Sequence, residues 1–187
     1  MKIISFLMLL GSITVTLFLG SYYYYLFPIH DACFSASAII YPTKGNKVTG
    51  TVTFTKEKKG VRVIAKIEGL TPGKHGFHIH KYGDCGGENG TCAGDHFNPT
   101  NAPHGAPTDK HVHAGDLGNV VADSTGKALY DEINYNIDLF GPYSVLGRSV
   151  IIHQDEDDLH SQPTGNSGDR IGCGVIGISK HSVTSTK

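Results

Sequence analysis

The sequence predicts an all-β domain, a sandwich or barrel of about eight short strands with two long loops, preceded by an N-terminal hydrophobic segment. Three observations lead there. From about Ala36 onward apolar and polar residues alternate with period two, as in residues 61–67, where Val61, Val63, Ala65 and Ile67 fall on one face. Gly (24) and Pro (8) are frequent enough in 187 residues to leave little room for long helices. Apolar residues at 39% and charged residues at 18% suit a packed core rather than disorder or a multi-span membrane protein.

Residues 1–31 form a separate unit. Ile3 to Leu19 is an uncharged, mostly apolar run behind Lys2, followed by Tyr22 to Tyr25, Leu26, Phe27 and Pro28. This is an export-signal pattern. Cutting after Gly20 or Ser21 would put Phe18 or Leu19 at the −3 position, where a small residue is wanted. The run with its tyrosines is long enough to span a bilayer, so it reads as a single-span membrane anchor or a cleaved signal peptide. Either places the remainder outside the cytosol, secreted or membrane-anchored. Residues 32–180 form the globular domain, and 181–187 a polar tail.

In the globular part, strands are expected at 36–41, 48–55, 61–67, 75–80, 117–122, 127–133, 148–153 and 173–179, bounded by Gly, Pro and Asn. Residues 81–115 and 154–170 break the spacing. Loops of that length in a compact domain are usually functional. A net charge of −1 gives no reason to expect nucleic acid as a partner. Cys33, Cys85, Cys92 and Cys173 contain no CxxC pair, and in an exported chain an even count points to disulfides. Asn89-Gly90-Thr91 is a glycosylation sequon only on a eukaryotic secretory route. Gly172-Cys-Gly174-Val-Ile-Gly177 matches GxGxxG, but no helix pattern follows, so it reads as a glycine-rich last strand.

Eleven His are more than structural use explains. His78 and His80 stand two apart in a predicted strand, so both imidazoles share a face and can reach one metal ion. The following loop carries His96, His104, His113 and Asp116, and three imidazoles with one carboxylate make a closed tetrahedral set suited to structural zinc. His153 supplies another imidazole from the end of a later strand. Seven such groups suit two nitrogen-rich sites, and an imidazole-rich open site suits Cu(II).

Gly76-Phe-His-Ile-His80, Gly94-Asp-His-Phe-Asn-Pro99, His113-Ala-Gly-Asp-Leu-Gly-Asn-Val120, Gly147-Arg-Ser-Val-Ile-Ile-His153 and Thr164-Gly-Asn-Ser-Gly-Asp-Arg170 closely resemble copper/zinc superoxide dismutases, in family order. The resemblance covers essentially residues 36–180. It implies an eight-stranded Greek-key sandwich or flattened barrel. It implies a superoxide dismutase that disproportionates superoxide to O₂ and H₂O₂ by Cu(II)/Cu(I) cycling. His78, His80, His96 and His153 are then the copper ligands. His96, His104, His113 and Asp116 hold zinc, with His96 bridging the two ions. Arg170 guides the anion, Asp157 links ligand histidines of the two metals, and His75 braces the fold. The resemblance also implies a disulfide from Cys173 to the loop after His80, with Cys85 preferred over Cys92, and a homodimer. Cys33 and Cys92 are then free, paired with each other or paired between subunits.

This chain departs from the pattern between His153 and Arg170, where the loop is several residues shorter than in common eukaryotic members. It lacks their Glu- and Lys-bearing stretch, so a weaker dependence of rate on ionic strength is expected.

Overall fold

The structure, a computed structural model, describes residues 35–180. The expectations for residues 1–31, Cys33, His30, His181 and the 181–187 tail lie outside the described residues. No helix among the described residues is long and apolar enough to cross a membrane.

Nine strands form: β1 (Ser35–Pro42), β2 (Thr49–Lys56), β3 (Val61–Glu68), β4 (Gly73–His80), β5 (Asp116–Ala122), β6 (Ala128–Asn134), β7 (Ser149–His153), β8 (Arg170–Val175) and β9 (Gly177–Ser179). All pairings are antiparallel, in the order β2-β3-β6-β5-β4-β7-β8-β1-β9, and β1 also pairs with β2. That extra pairing closes the sheet and leaves no open edge. Strands β8 and β9 both pair with β1 and are parted only by Ile176, so together they are the eighth strand of a closed barrel. Strands β4, β5 and β6 are consecutive neighbours, and β7 returns beside β4, which is a Greek key.

Each expected strand is present. The last begins three residues early, at Arg170 rather than Cys173, and breaks at Ile176. The break arises because the Ile176 amide donates to Arg148 O at 2.8 Å and Ile176 O accepts from Gly147 N at 2.9 Å. These bonds turn the Ile176 side chain into the core, where it is 1% exposed.

Phe54, Val63, Phe77, Ile79, Leu117, Val150 and Ile152 fill the barrel. The β5–β6 pairing is short, with one registered pair, Ala122 with Ala128. Below it Tyr130 takes over: its ring meets Phe77 edge-on at 5.2 Å, and its hydroxyl donates to Leu117 O at 3.2 Å.

Strands β4 and β7 are buried on both faces, which a barrel wall alone would not require. Phe77 and Ile79 point inward opposite Ile152 and Val150, whereas His78 and His80 lie outside opposite Ile151 and Ser149. The loop of residues 81–115 covers that outer face. It returns beside β4 through Phe97 N to Ile79 O, Ile79 N to Gly115 O and Gly115 N to Phe97 O, each 2.8 Å. At Gly115 a Cβ would overlap Ile79 O, so only glycine allows the return.

A disulfide joins Cys85 to Cys173, tying this loop to β8, as the family resemblance implied. Its sulfurs pack with Ala93 and Ile151 on the outer face. Cys92 is free and exposed. The bridge spans 88 residues, so Cys85→Ser should lower unfolding free energy by about 4.5 kcal/mol on chain-entropy grounds. Cys92→Ser should stay within about 0.5 kcal/mol of the parent. Denaturant unfolding of the two variants checks this, and equal losses would refute it.

Candidate metal centre

Four elements deliver the site. Strand β4 contributes His78 and His80 from one face, and β7 ends in His153 beside them. The covering loop lays His96 against His80 in an isolated antiparallel bridge. A bulge in β4 between Gly76 and His78 shifts the register with β5, and Asp116, the first residue of β5, comes opposite His78. His104 and His113 arrive on the remainder of the loop.

Two groups result, His78–His80–His96–His153 and His96–His104–His113–Asp116. Within each, the nearest ligand atoms lie within 4.8 Å of one another and every residue is buried. All seven metal-ligating positions read from the sequence therefore converge, and His96 belongs to both groups. Its ring centroid is 4.1 Å from that of His78.

The hydrogen bonds specify which nitrogen of each ring is spent. Carbonyl oxygens and the Asp157 carboxylate, which belongs to neither group, only accept, so a ring nitrogen facing one of them carries the proton. The nitrogens turned to Asp116 instead face a fellow member of the second group and are the ones a metal would take. His78 donates from Nε2 to Asp157 Oδ2 (2.8 Å), His80 from Nδ1 to Gly94 O (2.8 Å) and His153 from Nδ1 to Gly168 O (3.1 Å). The second nitrogens turn inward: Nε2 of His153 faces Nε2 of His80 at 3.4 Å, while His78 Nδ1 and His96 Nε2 are buried without a hydrogen-bond partner. In the second group, His96 Nδ1 and His113 Nδ1 lie 2.7 and 3.2 Å from Asp116 Oδ1. His104 Nδ1 lies 2.9 Å from Asp116 Oδ2, out of line for a hydrogen bond.

A buried lone pair without a donor is costly, and several aimed at one point suit a metal ion. The four-imidazole group suits copper, and the closed three-imidazole, one-carboxylate group suits zinc. The residues fit both ions.

Electrostatics follow from burial. Desolvation, then the neighbouring imidazoles, pushes His80 and His153 well below the usual histidine range. Desolvation and His78 bring His96 to about 4, against the pull of Asp116. These rings stay neutral and ligand-competent at pH 7. Burial works against ionising Asp116 and Asp157, but their histidine partners hold both carboxyls far below the ordinary range. Burial also opposes charge on His104, yet contacts with Asp116 and Asp157 raise it to about 9.

Asp157 accepts from His78 with Oδ2 and from His104 Nε2 with Oδ1 (2.9 Å), one ring from each group. Its backbone is clamped by Asn119, which donates to Asp157 O (2.9 Å) and accepts from Asp157 N (2.8 Å). Gln162 clamps His104 in the same two-bond manner, each bond 2.8 Å. Sequence reasoning missed both clamps, because a lone Asn or Gln tens of residues from its partner leaves no spacing signal. Arg170 donates to Gly90 O (2.8 Å) and Gly94 O (2.7 Å), so Gly94 O serves both Arg170 and His80. His75 donates from Nδ1 to His153 O at 2.9 Å, in keeping with a bracing role. His111 and His160 are exposed and outside both groups.

Fold and site together define a closed antiparallel barrel with two adjoining histidine-rich metal-binding groups on its outer wall. Residues 48–176 match the family model of copper/zinc superoxide dismutase (SODC). The extracellular superoxide dismutase [Cu-Zn] of Brugia pahangi is 44% identical over 155 residues, covering 78% of this chain and 76% of the relative. Superoxide dismutase [Cu-Zn] 3 of Arabidopsis thaliana is 48% identical over 141 residues, covering 71% and 85%. The crystal structure of the clock protein EA4 superposes with a TM-score of 0.73 at 39% identity, covering 80% of this chain and 98% of that one. The chain belongs to the copper/zinc superoxide dismutase family.

Gly165 offers a direct test of the Asp157 bridge. Its φ is +68°, and a Cβ there would overlap Asp157 Oδ1 and lie 2.6 Å from His104 Nε2. Gly165→Ala should cost about 1–3 kcal/mol in backbone strain. Displacing the carboxylate should also weaken metal affinity about 10- to 100-fold. Denaturant unfolding and chelator competition measure the two effects, and unchanged affinity would count against the bridge.

Proposed function

We propose that this chain catalyses the disproportionation of superoxide to O₂ and H₂O₂. The observation that carries the reading is the pair of groups sharing His96, with a guanidinium held beside them. Copper, held by His78, His80, His96 and His153, would supply one-electron redox chemistry, and zinc, held by His96, His104, His113 and Asp116, would order the site.

The chain's own residues do the rest. Arg170, half-buried and fastened to two carbonyl oxygens, presents a fixed positive charge beside His153 that draws in a small anion. His80 and His96 are locked by partners on their far nitrogens, so ring orientation needs no reorganisation during turnover. Two superoxide ions take up two protons overall. His96 Nε2 is the atom suited to hold one between the two halves, because Nδ1 faces Asp116. Asp157 acts as a positioning residue through His78 and His104.

The test is metal content and dismutase activity of the full chain beside Arg170→Ala. About one copper and one zinc per chain with rapid dismutation is expected, following the donor sets. The variant should keep its metals and slow about 10- to 1,000-fold, the general range for electrostatic focusing of an anion. Zinc without copper after copper loading, or both metals without activity, would overturn the reading in favour of metal handling.

The functional unit is residues 32–180. Export is proposed for it, with the first 31 residues acting as signal peptide or anchor, a reading supported by the apolar N-terminal run and the extracellular Brugia relative. N-terminal sequencing of the mature protein distinguishes removal from retention.

The active form is proposed to be a homodimer. Ile39, Tyr41, Val175 and Ile178, 45–73% exposed, lie on the adjoining β1, β8 and β9 strands, and a second copy would cover them. Light scattering should give twice the chain mass for the parent and the monomer mass for Ile178→Lys. A monomeric parent would refute the assembly.

A further inference from the structure

A cavity of about 690 Å³ opens onto both His96 and His113, between the long loop and residues 162–164. Its wall carries two cations, Lys81 and Arg148, and one carboxylate, Asp95. Among the described residues, the lysine and arginine ion pairs use Lys44, Lys56, Arg62, Lys74 and Lys127, so neither wall cation has a carboxylate within 4.0 Å.

Both cations are held in place by structure. His80 and His96 face each other in an antiparallel bridge, and the next residues out are joined by Lys81 N to Asp95 O at 2.8 Å. Lys81 is thereby fixed one residue beyond His80 and across from the neighbour of His96. Its ammonium is exposed and lies 5.1 Å over the Tyr82 ring. That ring packs on Gly94, where a Cβ would come within 2.9 Å of it. Arg148 lies 3.5 Å from the Phe97 ring and donates to Ser144 O and Lys81 O, both at 2.8 Å.

The opposite wall offers no such charge. Residues 154–169 contain neither Lys nor Arg. Asp95 does not neutralise the pair alone, since it also sits in the field of Arg170.

We infer that this cavity is the anion entrance of the site and that Lys81, on the wall across from the cation-free residues 162–164, is its guidance residue. The inference rests on the dismutase reading and adds where the anion is gathered. Arg148 contributes background charge but also braces the loop, so Lys81 is the residue to vary. An exposed cation acts through its field, which salt screens over about 8 Å at physiological ionic strength.

The experiment measures the second-order dismutation rate of the metal-loaded parent, Lys81→Gln and Lys81→Glu across ionic strength. At low salt the rates should fall about 2- to 3-fold for Lys81→Gln and about 5- to 10-fold for Lys81→Glu, converging at high salt as screening removes the field. A loss equal at all salt concentrations, or no loss at low salt, overturns the assignment.

A second readout does not use turnover. Inorganic phosphate titrated into the metal-free proteins should shift the Arg148 Nε–H resonance saturably in the parent, more weakly in Lys81→Gln and least in Lys81→Glu. Equal affinity in all three, or no shift in the parent, also overturns it. If the parent lacks dismutase activity, the functional reading fails, while the phosphate titration still decides whether the cavity collects anions.

Discussion

Asp157 sits where the two halves of the site have to be reconciled. Burying seven ligand-capable groups on the outer wall of a barrel leaves ring nitrogens that need partners, and a protein interior provides few. One carboxylate satisfies a ring from each group, and it stays ionised because both rings favour the charged form over the cost of burial. Asn119, reaching from β5, clamps it in turn. Movement of the 154–169 loop would therefore be felt at His78 and His104 together, which joins the geometry of the two groups.

The same economy appears at Gly94. Its carbonyl oxygen receives both His80 and Arg170, so the loop that covers β4 also aims the guanidinium. The Cys85–Cys173 bridge anchors that loop to β8, the strand that begins with Arg170. Covalent anchor, carbonyl acceptor and ligand ring thus share one short segment. The outer face of β4 and β7 stays dry because this segment is pinned at several points rather than lying loosely over it.

Charge is arranged asymmetrically around the entrance. Residues 154–169 carry five acids, and three of them are engaged: Asp157 with the rings, Glu156 with Lys74, and Asp158 with backbone amides at His160 and Ser161. The cations without a carboxylate partner, Lys81 and Arg148, stand on the other wall. A near-neutral chain can in this way present a local positive field to a small anion, because field depends on nearby charges far more than on the sum.

The strands were legible because a half-buried strand writes period two into the chain, and His78 with His80 was legible because that period puts both on one face. The remaining ligands were recognisable from motifs in family order, whereas spacing alone suggested only a plausible two-site set. Cys85 and Cys92 were not separable by their own surroundings in sequence; family placement favoured Cys85, and the fold brings it to Cys173. The β4 bulge, the early start of β8, the clamps from Asn119 and Gln162, and the pairing of Lys81 with Asp95 left no local mark. Sequence by itself determined the strand pattern, the chemistry of the ligands and the family, since these depend on residue type and short-range periodicity. Tertiary structure alone decided which nitrogen of each ring is spent, which side chains clamp Asp157 and His104, and which cations face the cavity, because those contacts join residues far apart in the chain.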